Sequence, residues 1–272
     1  MLFYGQATLF ALFVWYFSTG LILYLDGLPV RTFRWSMMGV TLIAAASMYG
    51  LSAVRDDASV AGAYVGFTCG VLAWAWQEMA FLMGFLTGPR QQACPHDCSG
   101  WRHFGHGVQA VLYHELAIVA GAALVVAASW GGTNQVGLWT FMILWGMRQS
   151  AKLNVFLGVR NLNEELLPPH LAFLRSFLTC KPMNLLFPVS VTGATILAVV
   201  LVQRAAAPGL GAFSATGLTF LATMTILALL EHWFLVLPVP FARLWDWSLG
   251  SRRSDTSVST PRSWPRRAAI LP

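Results

Sequence analysis

Charge is what this sequence has least of. Of its 272 residues, 17 are Lys or Arg and 11 are Asp or Glu, 10% in all, where an ordinary globular domain carries about 25%. A soluble core cannot hide the rest: 57% of the chain is hydrophobic and the mean hydropathy is +0.62. Those side chains must face lipid. Cysteine is scarce too, with 4 in all, and Cys69 and Cys180 are isolated. Cys94 and Cys98 fall in a loop expected on the cytoplasmic side, where a disulfide is not expected. There is no internal repeat, which weakens a transporter reading. No soluble basic domain exists to bind nucleic acid, so the net charge of +6 has another meaning. The first apolar run lacks a basic leading segment and a small-residue cleavage site, and is expected to be a retained helix rather than a signal peptide.

What the sequence does have is long apolar runs. Seven approach the length of about 20 residues that crosses about 30 Å of hydrocarbon as a helix. They lie at roughly 5–25, 35–54, 61–88, 107–129, 135–158, 185–203 and 212–237. The fold class expected is all-α, a polytopic membrane bundle of about seven transmembrane helices spanning 1–247. A basic tail, 248–272, rich in Ser, Arg and Pro, is expected to be disordered. Alternate loops divide the 17 basic residues unevenly, because all but Arg55 and Arg204 fall on one side. The positive-inside rule then puts the N-terminus in the periplasm and the C-terminus in the cytoplasm. The segment LPPHLAFLRSFL has apolar residues at helical spacing and reads as a short interfacial helix on the cytoplasmic face.

Against this background the few polar residues inside the runs stand out. Glu78, Glu115 and Glu231 lie at membrane depth, and His114 and His232 are chain neighbours of the last two. A carboxylate in hydrocarbon is costly, so each is a functional-site hypothesis by default. On the expected helices Glu78 lies about 15 Å, His114 and Glu115 about 12 Å, and Glu231 and His232 about 9 Å from the cytoplasmic ends. Arg148 and Lys152 share a face in the same half of the membrane. Two readings stay open. Carboxylate and imidazole suit iron, manganese or zinc, and helix bundles build di-iron sites from inward Glu and His. Here the His-Glu and Glu-His pairs are adjacent, about 100° apart on the helix, so one of each pair would ligate and the other support it. Alternatively the acids neutralise Arg148, Lys152 and Arg160, and the histidines hydrogen-bond across helices. His114 or His232 is also a candidate ligand for the central metal of a tetrapyrrole.

Two further groups are weaker. Cys94, His96, Cys98, His103 and His106 fall within 13 residues. Such residues can bind zinc, although the spacing is tighter than in the usual finger; the alternative is a polar loop with incidental histidines. Arg148, Lys152, Asn154 and Arg160 carry bases and an amide that could face an anionic group such as a propionate or a lipid phosphate.

Several segments together carry a family resemblance: WYFSTGLILYLDGLPVRTFRWSM, WQEMAFLMGFLTGPR, YHELAIVAG, LWGMRQSAKLNVFLGVRNLNEELLP, MNLLFPVSVT and LEHWFLVLPVP. The chain resembles the PuhE family, also called putative photosynthetic complex assembly protein 2, from about residue 8 to about residue 247. The resemblance implies a multi-pass protein of the bacterial inner (intracytoplasmic) membrane. It implies a role in assembling the reaction centre and light-harvesting complexes, or in modulating bacteriochlorophyll supply. The partners implied are photosynthetic subunits or bacteriochlorophyll-synthesis proteins. It carries no reaction with it. The competing expectation is a membrane metalloenzyme with a Glu/His, di-iron centre that oxidises a tetrapyrrole or another lipophilic substrate.

Overall fold

The structure is a computed structural model and describes residues 2–95, 97–239 and 241–253. Eight α-helices lie among the described residues: α1 Leu2–Asp26, α2 Val30–Ala53, α3 Val60–Leu82, α4 Gly100–Ser129, α5 Val136–Leu157, α6 Leu186–Ala205, α7 Ala212–Phe234 and α8 Asp246–Arg253. Among those residues no strand forms, and one isolated bridge joins Val159 to Cys180. The first seven helices correspond to the seven expected runs. Five of them, α1, α2, α4, α6 and α7, are long and apolar enough to cross a membrane. Helices α3 and α5 match them in length, at 23 and 22 residues. They carry the polar residues, Gln77 and Glu78 on α3 and Arg148, Gln149, Lys152 and Asn154 on α5.

Helix α3 is the centre of the bundle, and its composition explains why. Gly62, Gly66 and Gly70 recur every four residues on one face, the spacing that lets membrane helices approach backbone to backbone. A β-carbon at Gly70 would sit 2.5 Å from Gly137 O on α5. At the head of α3, Ser59 Oγ accepts the Gly62 N–H at 3.0 Å and Asp57 Oδ1 accepts the Ser59 N–H at 2.9 Å. Ser59 thus satisfies one of the donors that a helix start leaves open. Asn134, before α5, donates to Gly62 O at 2.8 Å and tethers the same end. On the core side Phe67 of α3 stacks on Phe220 of α7 with centroids 4.3 Å apart and planes at 14°. Ala7, Ala11 and Ala63, all fully buried, let α1 close over that pair.

The connections at the other end of the bundle are longer and hold the polar chemistry. That end, called the basic side below, carries the C-termini of α1, α3, α5 and α7 and the N-termini of α2, α4 and α6. Contacts across it include Arg90 N–H to Gln109 O and Asn161 N–H to Leu235 O. The expected third run, 61–88, ends early as a helix. The chain leaves α3 at Leu82 and turns at Gly84, whose φ of +78° favours glycine. Residues 83–90 then run as non-helical chain against α4. Thr87, 2% exposed, accepts the His114 N–H on its carbonyl at 3.0 Å. Met83, Thr87 and Gly88 of this segment are buried in protein, which helps irregular backbone to be tolerated at this depth. Conversely α4 starts at Gly100 rather than 107. Its 30 residues make about 45 Å of helix, longer than the hydrocarbon is thick, so it reaches beyond the membrane.

The expected interfacial helix forms as a 3-10 helix, Pro169–Phe177. Leu171, Leu174 and Phe177 pack against Phe81 of α3 and Ala110 of α4. His170 donates to Leu82 O at 2.8 Å and caps the end of α3. After α7 the chain folds back along α1. Trp245, 1% exposed, stacks on Tyr16 with centroids 4.9 Å apart, and Ser251 Oγ donates to Tyr24 O at 3.0 Å. The first residues of the expected tail, 248–253, therefore belong to α8. The remainder of that tail, 254–272, and His96 of the loop lie outside the described residues.

Candidate functional site

Helix α5 gathers the polar side chains. Residues 148–154, about 9 Å of helix, meet four other elements. Toward α3, Arg148 donates to both carboxylate oxygens of Glu78, Nε to Oε1 at 3.1 Å and Nη2 to Oε2 at 3.1 Å. This forked geometry is the strong form of an ion pair. Toward α4, Lys152 Nζ donates to Glu115 Oε1 at 2.8 Å, and Gln149 donates to the other oxygen of Glu115. Toward α7, Ser150 Oγ meets His232 Nε2 at 2.9 Å, while His232 Nδ1 reaches Ala228 O at 2.8 Å. The second contact uses the carbonyl one turn back, so Nδ1 carries the proton and Nε2 accepts from Ser150. Toward α6, Asn154 donates to Ser190 Oγ at 3.0 Å.

Glu231 is the exception in partner. Its Oε1 accepts the indole N–H of Trp15, on α1, at 3.0 Å. Arg148 and Glu78 both lie near enough to act on it electrostatically. Asn154, fully buried, is saturated: it also donates to Ser150 O at 2.9 Å and accepts from Asn184 at 3.1 Å. Asn184 in turn accepts the Leu186 and Phe187 N–H groups and starts α6. Arg160 lies apart, exposed on the loop after Gly158.

His114 has the least common environment. It is fully buried and its ring lies 4.5 Å from that of Phe81. Neither Nδ1 nor Nε2 has a hydrogen-bond partner among the described residues. Gln77 Oε1 and the Trp145 indole N–H are likewise buried and unpaired among them. An unmet buried donor or acceptor costs about 1–3 kcal/mol, so orphaned nitrogens call for an explanation.

Most of the layer expected from depth alone is therefore a polar belt joined through α5, and it is not closed around a single point. Glu78, Glu115 and His232 meet α5 and Glu231 meets α1, while His114 packs on Phe81. Among the described residues the set of three ligand atoms within 4.8 Å of one another is elsewhere, at Cys94, Cys98 and His106. Trp15, Gln149, Ser150 and Ser190 were not among the expected site residues. Gln149 and Ser150 lie between Arg148 and Lys152 in the chain, a local hint. Trp15, 216 residues from its partner, has no such signal.

Fold and site together define an integral membrane helical bundle braced by an ion-paired polar layer. The chain belongs to the family described as protein of unknown function, DUF3623, which matches residues 1–256. It is similar to a Rhodobacter capsulatus protein named "Uncharacterized 30.4 kDa protein in puhA 5'region". The two are 41% identical over 247 residues, which is 88% of this chain and 89% of the relative. No solved structure matches it.

Proposed function

We propose that the chain is an assembly factor of the bacterial photosynthetic membrane. It binds reaction-centre or light-harvesting subunits, or hands on bacteriochlorophyll, within the bilayer. The observation that carries this reading is the relative in the puhA 5′ region, in a photosynthesis gene cluster. The resemblance of the quoted segments to the PuhE family supports it. The positive-inside rule orients the basic side toward the cytoplasm and the N-terminus toward the periplasm. The outward faces of α1, α2 and α6 carry Leu9, Phe13, Phe17, Leu42, Val189 and Ile196, all exposed in the isolated chain. Those faces suit lipid or the helices of a membrane partner.

The polar belt favours binding over oxidation. Glu78 and Glu115 already neutralise Arg148 and Lys152. A metal that took those carboxylates would compete with both cations, and Lys152, the better buried of the two, would lose its partner at a cost. One observation supports a specific route for pigment. The nitrogens of His232 are both used, and those of His114 are not. His114 is thus the imidazole suited to hold the central metal of a tetrapyrrole if the α3–α4 contact opens.

The test is a deletion strain grown photosynthetically, with membrane absorbance reporting reaction-centre and light-harvesting content. We expect a loss of both that the wild-type gene restores, and photosynthetic subunits or pigment co-purifying with the protein. Normal complexes in the deletion strain, with no subunit or pigment captured, would overturn the reading.

A further inference from the structure

The overhang of α4 brings together a second group of chemistry-bearing side chains, outside the polar belt. His103 and His106 lie three residues apart on one face of its first turns. Cys94 and Cys98 lie on the segment that leads into them. That segment is pinned: the Cys94 N–H donates to Ser176 Oγ, on the 3-10 helix, at 2.8 Å, and Cys98 is 2% exposed. His106 Nδ1 lies 3.2 Å from Cys98 Sγ and 3.6 Å from Cys94 Sγ. His103 Nδ1 lies 3.2 Å from Cys94 Sγ.

We propose that Cys94 Sγ, Cys98 Sγ and His106 Nδ1 bind a zinc ion, with His103 as the positioning residue that holds the Cys94 sulfur. Two thiolates and an imidazole are a donor set that zinc prefers over the hard cations. Zinc bonds of about 2.3 Å to sulfur and about 2.0 Å to nitrogen put the two donors roughly 3.5 Å apart at a tetrahedral angle. The sulfur–nitrogen separations bracket that value. The His103 ring stacks on Phe156 at 5.3 Å and lies 5.6 Å from Phe177. Packing thus fixes its Nδ1 toward Cys94, the supporting contact that metal sites use to orient a ligand. Three protein ligands leave one coordination position for water or for a side chain of a partner. The ion would clamp the loop after α3 and the 3-10 helix to the head of α4. That makes the shape of the basic side dependent on metal, whatever the belt inside the membrane does.

The experiment uses the full-length protein, purified in mild detergent without a polyhistidine tag and kept reduced. It is loaded with zinc, desalted and measured for metal per chain; cobalt(II) then replaces zinc to report thiolate ligation by its charge-transfer absorption. We expect about one zinc per chain and thiolate–cobalt bands that are lost in Cys98→Ser. Cys98→Ser and His106→Ala lose the ion, Glu115→Gln keeps it, and His103→Phe keeps it with affinity weakened about tenfold or more. Helical circular dichroism identifies any variant that fails to fold, and for such a variant the wild-type cobalt spectrum decides. Wild-type protein without stoichiometric zinc overturns the proposal. So does cobalt bound without thiolate bands, or zinc retained equally by Cys98→Ser and His106→Ala.

Discussion

At the scale of single residues, Lys152 and Glu115 decide how the polar belt works. Replacing Lys152 by Ala leaves the partly buried Glu115 with Gln149 alone, and a charged group that loses a partner there costs about 1–3 kcal/mol. The double change Glu115→Gln/Lys152→Met removes both charges and should recover most of that loss in a thermal or denaturant unfolding series. Strict additivity of the two single changes would contradict direct coupling. His114 makes the opposite prediction. Its nitrogens are unpaired and its ring packs on Phe81, so His114→Phe should leave the melting temperature unchanged or raise it. If His114 holds pigment, the same variant purifies without it. The three acids and two histidines were legible in the sequence because charge in an apolar run is costly. Their partners were only partly so. Arg148 and Lys152 could be matched by depth, whereas Trp15 could not, since only folding brings α1 against the end of α7. Which member of each His–Glu pair meets α5 also depended on helix rotation: Glu115 does on α4, and His232 does on α7.

At the scale of elements, glycine spacing and one loop carry the predictions. Gly70→Ala should cost about 1–3 kcal/mol by overpacking against Gly137. Gly39→Ala on α2, which meets open space, should be neutral or stabilising. Equal effects of the two in unfolding experiments would sink the close α3–α5 packing. At the head of α3 the Ser59 side chain and N–H hold the Asp57 carboxyl below its ordinary value. A carboxylate lowered in the folded state stabilises above its unfolded pKa and loses that contribution as pH falls through the folded value. Stability should therefore decline on acidification below about pH 4, and by less in Asp57→Asn, as followed by melting temperature against pH. The seven helices were legible from apolar length. The end of α3 and the start of α4 were not. Residues 83–88 are apolar enough to continue a helix, but Gly84 turns the chain and Thr87 bonds α4 instead. The segment GWRHFGH, with two glycines and little apolar periodicity, reads as loop yet winds into the overhang of α4.

At the scale of the whole molecule, the belt and the basic side divide the labour. The belt ties α3, α4, α6 and α7 to α5, and the segment 241–253 packs back against α1. What remains outward is apolar at membrane depth and basic at one end. The sequence resemblance pointed toward photosynthetic assembly, and the relative from the puhA 5′ region supports the same context. The most direct measurement is reaction-centre absorbance in membranes of a deletion strain carrying the charge-free Glu78→Gln/Arg148→Met pair, with protein level matched to wild type. If the acids are a brace and the protein acts by binding, the paired variant restores the complexes to near the wild-type level. If it accumulates normally and restores none, Glu78 and Arg148 take part in chemistry, and a protein that acts by docking alone is contradicted.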